Sequence, residues 1–331
     1  MATIMDVAKE AGVSRTTVSR VLNNSPRVDQ ATRKNVLNVI RKLNYQPSNV
    51  ARNFRKKETK LIAVLIPRVS NPFYGNLLYG MEEVAIKKGY NIILCNTGGD
   101  PAREMRYLRM LEQKQVDGLI MAGLNNSPDV VKAYLQYGPI VIACGYTDDD
   151  SIPAVVIDDT KAARMAVEHL VSLGHQRIAF INGPEHITLC RDRKKGYIQA
   201  LEENGLTVFE EWIQHSDFTI EGGYQCTNNL LQLKDRPSAI FAANDDMAVG
   251  VIQALQEYGV HVPKEMAVVG FDNNPMATVV SPKLTTIDQP IFLIGLKSME
   301  KLIGCLENGD MVDHQRIILD TKLCIRESSV L

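Results

Sequence analysis

Hydrophobic positions in the first 45 residues recur at three- and four-residue intervals, whereas from residue 61 onward they gather into short unbroken runs. The first pattern predicts helices and the second buried strands. Ile4, Val7, Ala8 and Ala11 lie about one helical turn apart on a first helix. Gly12 follows, the residue type that best tolerates a left-handed turn. Ser14 is placed to cap a second helix, with Val18, Val21 and Leu22 on its own side and Thr16 and Arg20 roughly opposite, flanked by Thr17 and Ser19. A third helix is expected from a cap at Asp29 to Leu43, with Val36, Ile40 and Leu43 on its buried stripe. Three such helices close a small core.

The later runs LIAVLIP, NIILC, VDGLIMAG, PIVIAC and AVVID read as strands separated by helix-length segments. The first of those segments carries Leu77, Leu78, Met81, Val84 and Ala85 on one stripe and stops near Gly89. RIAFING (177–183) then opens a second series, followed by a helix around Arg191 to Asn204 and by SAIFAAND (238–245) and MAVVGFD (266–272). Fully apolar strands alternating with helices predict parallel sheets covered on both faces. The expected fold is therefore an N-terminal all-α helix-turn-helix head and an α/β core of two doubly wound parallel-sheet lobes. The two series parallel each other only loosely, too weakly to establish duplication.

Charge sharpens this division. Residues 1–57 contain twelve Lys and Arg against three acids, a surplus of +9, while the 331-residue chain has a net charge of −1, so the remainder carries −10. A basic segment on an acidic body localises phosphate contacts and the counterion release that drives them. Arg15 and Arg20 can each offer a planar fork to guanine in a major groove, and Thr16, Thr17 and Ser19 can reach base edges or phosphates. The alternative for that face alone is an ordinary helical hairpin with a solvated basic side. No apolar stretch reaches the length of a membrane span and the amino terminus has no secretory pattern, so a cytoplasmic protein is expected. Six scattered cysteines and six histidines show no metal-ligand spacing, and no cofactor is expected. Walker, Gly-x-Ser-x-Gly and Gly-x-Gly-x-x-Gly motifs are missing, which leaves catalysis without support.

TIMDVAKEAGVSRTTVSRVLNN followed by VDQATRKNVLNVIRKLNYQPSNVAR resembles the DNA-binding head of the lactose and galactose repressor family. The resemblance implies a head over 1–46, a hinge and linker over 47–59, and an effector-binding and dimerisation core over 60–331. Within that core, lobe one is expected at about 60–158 plus 290–320, and lobe two at about 162–287 plus the C-terminal segment. It implies that the helix from Ser14 reads DNA, that Ser48 to Arg55 form a hinge, and that Thr3, Ser14, Arg15, Thr16, Thr17, Ser19, Arg20, Asn23, Asn49, Ala51 and Phe54 face the duplex. Phe54 stands where relatives carry a leucine that wedges into the minor groove. Phenylalanine can also unstack a base step, though a ring docked on the core is the alternative.

Ligands of open α/β sheets bind beyond the carboxyl ends of the strands. Asn71, Phe73, Tyr74, Arg193, Phe218, Asn244, Asp272 and Gln289 fall at such ends. NPFYGNLLYGME, RDRKKGY, AANDDMAVG, VVGFDN and LTTIDQP carry the family resemblance through the core, itself similar to periplasmic sugar-binding proteins. It implies that those eight residues line a cleft for a small-molecule effector, a sugar or sugar derivative. The plain alternatives are helix caps for Asn244 and Asp272, core packing for Phe73 and Phe218, and a surface charge for Arg193. Cys144, Gly145 and Tyr146 replace an Asp-Arg pair that sugar-binding relatives often carry, which weakens assignment to a particular pentose or hexose. The function expected is a homodimeric transcription regulator, repression its expected sense, bound to a pseudo-palindromic operator and controlled by the effector. A transport-type sugar-binding protein is the alternative, disfavoured by the basic head and the lack of a signal peptide.

Overall fold

The computed structural model of the protein describes residues 2–45, 58–308 and 316–330. The chain divides into two compact units, Met1–Thr59 and Lys60–Leu331. The first holds α1 (Ile4–Glu10), α2 (Arg15–Leu22) and α3 (Gln30–Lys42). Each start is capped as its sequence dictates. Thr3 and Asp6 form a reciprocal capping box, the Ser14 side chain accepts from the Thr17 amide at 3.1 Å, and Asp29 accepts from Thr32 at 2.9 Å. Val7, Ala8, Ala11, Val18, Val21, Val36 and Val39 make the core of this unit. Ile40 and Leu43, expected inside, are only half-buried, because Val39 takes the inner position beside Val36. Gly12 adopts φ 65°, the left-handed turn between α1 and α2.

In the second unit the chain runs β1 (Leu61–Ile66), α4 (Pro72–Lys87), β2 (Asn91–Asn96), α5 (Pro101–Glu112), β3 (Gly118–Ala122), α6 (Pro128–Lys132), β4 (Ile140–Ala143) and β5 (Ala154–Ile157). It continues with α7 (Asp159–Ser172), β6 (Ile178–Asn182), α8 (Thr188–Glu203), β7 (Ile213–His215), α9 (Ile220–Gln232), β8 (Ala239–Ala242), α10 (Asp245–Glu257), β9 (Ala267–Asp272), α11 (Met276–Val279) and β10 (Thr285–Asp288). Last come α12 (Ile291–Asn308), β11 (Ile317–Leu319) and β12 (Lys322–Cys324). The strands build two six-stranded sheets, ordered β11-β5-β4-β3-β1-β2 and β12-β10-β9-β8-β6-β7.

Two details differ from the sequence reading. No helix separates β4 from β5: residues 144–153 run as turns, since Gly145, the acidic triplet Asp148 to Asp150 and Pro153 all oppose a helix there. The second sheet is also not wholly parallel, because β12 pairs antiparallel with β10. The reason is topological. Among the described residues the chain passes between the lobes three times, after β5, after β10 and after β11. The first two passages lead into α7 and α12, which run back along a lobe. The third has only Asp320 and Thr321 between strands, so β12 enters its sheet from the end at which the other strands finish.

Helices in each lobe pack backbone against backbone. A Cβ on Gly80 of α4 would overlap the Phe292 carbonyl of α12, and one on Gly295 of α12 would overlap the Leu77 carbonyl of α4. Gly223 of α9 and Gly250 of α10 repeat the arrangement in the second lobe. Side chains alone could not bring these axes so close.

Candidate functional site

In the first unit, Thr3, Ser14, Arg15, Thr16, Arg20 and Asn23 are exposed, and Thr17 and Ser19 are half-buried. Thr3 and Ser14 commit their side chains to capping α1 and α2, and the Thr17 hydroxyl sits 2.9 Å from that of Ser14. Arg15, Thr16 and Arg20 therefore form the open part of the α2 face. The basic residues are not equivalent. Arg33 ties the turn after α2 to α3, donating to the Asn24 side chain at 2.9 Å and the Ser25 carbonyl at 2.6 Å, and Lys42 pairs with Glu10 at 2.7 Å. Asn49, Ala51 and Phe54 lie outside the described residues.

In the second unit, a cavity of about 270 Å³ is lined from the last residue of, or just beyond, each of β1 to β10, where both sheets present their carboxyl ends. All eight predicted core residues line it. Asn71 caps α4, accepting from the Phe73 amide at 2.8 Å, which fixes the turn that brings the Phe73 and Tyr74 rings together edge-on, with centroids 5.2 Å apart. Asn244 caps α10 through the Met247 amide and donates to the Phe218 carbonyl at 3.2 Å. Capping and lining coexist there. Asp272 caps nothing: the N-cap of α11 is Pro275, and the Asp272 carboxylate instead accepts from Gln289 at 2.6 Å. Phe73 is buried and Phe218 half-buried, so both pack against the core as well as lining the cavity.

Arg193 is no surface charge. It is buried, donates from Nε to Asp159 at 2.8 Å and from Nη1 to the Ala243 carbonyl at 2.5 Å, and lies 3.7 Å over the Phe271 ring. Its neighbours on α8 do remain outside, where Arg191 faces Asp148 at 3.8 Å and Lys194 pairs with Glu185 at 3.1 Å. Burial pushes the Asp159 carboxyl up to about 6 against the attraction of Arg193. Asp272 is raised well above the ordinary carboxylate range by burial, with Asp245 and Asp246 adding and Arg193 opposing. Phe218 (φ 63°), Cys144 (φ 61°) and Asp272 (φ 112°) hold positive φ at the cavity wall. Such non-glycine conformations cost about 1–3 kcal/mol each and collect at ligand clamps.

Arg68, Asn125, Asp159, His186 and Asp217 also line the cavity and were not singled out in the sequence. The strand-end rule reaches four of them, because Arg68 follows LIAVLIP, Asn125 follows VDGLIMAG, Asp159 follows AVVID and Asp217 directly precedes Phe218 after β7. No local pattern marks His186.

A small basic helix-turn-helix unit joined to a two-lobed core around a polar, aromatic-walled cavity defines a ligand-responsive DNA-binding regulator. The model of bacterial regulatory proteins of the lacI family matches residues 3–48, and that of periplasmic binding proteins and the sugar binding domain of the LacI family matches residues 59–326. The NTD biosynthesis operon regulator NtdR of Bacillus subtilis is 39% identical over 329 residues, covering 99% of this chain and all of its own. Catabolite control protein A of Priestia megaterium is likewise 39% identical, with 99% of each chain covered. Among solved structures, the lac repressor dimer bound to operator and the anti-inducer ONPF superposes with a TM-score of 0.87 at 29% identity, covering 100% of this chain and 99% of its own. The chain belongs to the LacI family of bacterial transcription regulators.

Proposed function

We propose that a homodimer of this chain represses transcription from a pseudo-palindromic operator and that a small polyol seated between the lobes sets its affinity for that site. The observation that carries this reading is the pairing, in one chain, of an open Arg15–Thr16–Arg20 face with a ligand-sized cavity holding buried Arg193, Asn244 and Asp272. Thr3, Ser14, Thr17, Ser19 and Asn23 position the head, with Thr3 and Ser14 acting mainly through their caps. Asn49, Ala51 and Phe54 are assigned to the hinge, Phe54 as the minor-groove wedge. Two heads related by a two-fold axis need inverted half-sites.

In the cavity, Phe73, Tyr74 and Phe218 offer ring faces to the apolar side of a polyol, while Asn71, Arg193, Asn244, Asp272 and Gln289 meet its hydroxyls. The cavity is slightly below the usual range of about 300–1,000 Å³ for ligand pockets, which favours a small effector. Binding rather than catalysis is the output, and the protein acts on the chromosome in the bacterial cytoplasm. The coupling requires different effector affinities for two lobe arrangements.

In vitro selection of random duplexes by the full-length chain tests the first half: inverted repeats should emerge, and a lone half-site would reject the dimeric reading. On the selected duplex, Arg193→Ala should abolish the response to a bound effector while DNA binding persists. A normal dose response in that variant would remove Arg193 from the site.

A further inference from the structure

A second cavity, of about 450 Å³, lies on lobe two between α8 and the turn after β6, and it shares no lining residue with the effector cavity. Arg191, Lys194, Lys195 and Gln199 of α8 face it together with Glu185 and Asn182, three cations against one carboxylate. Glu185 is already engaged, by Lys194 at 3.1 Å and by the His215 ring at 3.3 Å. Asp192, the acid next to Arg191 on α8, accepts instead from the Tyr146 hydroxyl. Asn182 is spent on the floor of the cavity, donating to the Cys190 carbonyl at 3.0 Å and accepting from the Gly183 amide at 2.8 Å. Among the described residues Lys195 has no acidic partner and the Gln199 side chain has no hydrogen-bond partner, while Arg191 meets only the exposed Asp148, at 3.8 Å. Arg191, Lys195 and Gln199 recur at four-residue intervals and so share one face of the helix. Like charges at that spacing destabilise a helix, and the first turn of α8 carries no acid to offset them. The fold thus holds a concentration of positive charge, with open donors, around a space of ligand size.

We propose that this cavity is a second ligand site, separate from the cleft between the lobes, and that it takes a small phosphorylated metabolite. A phosphate monoester carries close to two negative charges at neutral pH, which matches the two cations, Arg191 and Lys195, that Glu185 leaves uncompensated. The Arg191 fork can hold two phosphate oxygens and Lys195 a third. The volume exceeds that of a bare phosphate and falls within the usual range of about 300–1,000 Å³ for ligand pockets, so the ligand has a body, which Ile198 and the Gln199 amide would meet. The site also touches the control of the lobes. Asp148 belongs to the turn after β4 in lobe one, and a phosphate that takes Arg191 competes with it for the same guanidinium. Occupation therefore removes a contact between the lobes and supplies an input distinct from the effector.

The test is a calorimetric titration of the full-length protein, at constant ionic strength, with glycerol 3-phosphate, D-ribose 5-phosphate and D-glucose 6-phosphate, each against its neutral parent, and with malate as a dianion without a phosphoryl group. At least one phosphorylated probe should bind with a Kd below about 1 mM, about tenfold or more tighter than its parent and than malate. Lys195→Ala, a change at an exposed position, should weaken that probe about fivefold or more. Asp148→Asn removes the competing carboxylate and should tighten it about twofold to fivefold. Failure of every phosphorylated probe to bind at millimolar concentration overturns the inference, as does malate or a neutral parent that binds equally well. Binding that ignores Lys195→Ala but is lost in Arg68→Ala would place the phosphate in the cleft instead and overturn it too. Unchanged or weaker binding in Asp148→Asn would contradict the placement at Arg191. Because the comparison of probes needs only the unaltered protein, a poorly folding variant leaves the test intact.

Discussion

Two arginines with opposite surroundings show how much a residue's setting decides. Arg20 stands exposed on α2, and its planar fork is available to a base edge. Arg20→Ala should cost about 1–3 kcal/mol of binding to a selected operator duplex, with relaxed preference at one base pair, as read by fluorescence anisotropy. Unchanged affinity and base preference would remove it from the reading face. Arg193 is enclosed instead, and removing it would strand the buried Asp159 carboxylate. Asp245 offers a pH test. Its carboxyl, ordinarily at 3.8, is pushed up to about 7 by burial, with Asp246 adding and Thr286, Asn274 and Arg326 opposing. Between those values the folded core keeps a proton that the unfolded chain releases. The group therefore favours folding at low pH and loses that contribution as pH rises through about 7. Asp245→Asn should gain less thermal stability than the parent on going from about pH 8 to about pH 5, and equal gains would contradict the shift. At this scale the sequence marked the lining residues that end a strand or open a helix, such as Asn71 and Asn244. It could not mark Asp159 as the partner of Arg193, because 34 residues separate them and only the crossing from β5 into α7 brings them together.

Among the elements, the long apolar runs were legible because a strand buried on both faces leaves no polar alternation. The three-residue strands β7, β11 and β12 are too short to show a period, and the direction of β12 follows from where the chain re-enters its lobe. Nor does a sequence reveal which glycines face another helix. The α4–α12 contact depends on Gly80 and Gly295, whose missing side chains admit the facing carbonyls. Gly80→Ala should destabilise the core by about 1–3 kcal/mol through overpacking, measured by denaturant unfolding. Gly75→Ala on the same helix, where a Cβ meets open space, serves as the control and should change little. Equal effects at the two positions would contradict close packing as the cause.

For the whole molecule, links between the lobes matter as much as the cavity itself. Arg68, after β1, meets Asp217, after β7, and the Tyr146 hydroxyl, after β4, donates to Asp192 of α8 at 2.7 Å while the Arg316 guanidinium lies 3.5 Å over its ring. The exposed Arg68–Asp217 pair is worth no more than about 1 kcal/mol, so Arg68→Ala should leave unfolding nearly unchanged. Combined with Tyr146→Phe it should widen the cleft, seen as a larger radius of gyration of the ligand-free protein in small-angle scattering. An unaltered radius would mean that the three chain crossings alone hold the lobes. Those crossings also bear on synthesis. The helical head is complete by residue 45, but each sheet waits for one of the last strands, β11 for the first lobe and β12 for the second. A chain released from the ribosome at residue 316 would lose a strand from both sheets at once, so late truncation would yield a finished DNA reader attached to two unfinished halves of its control.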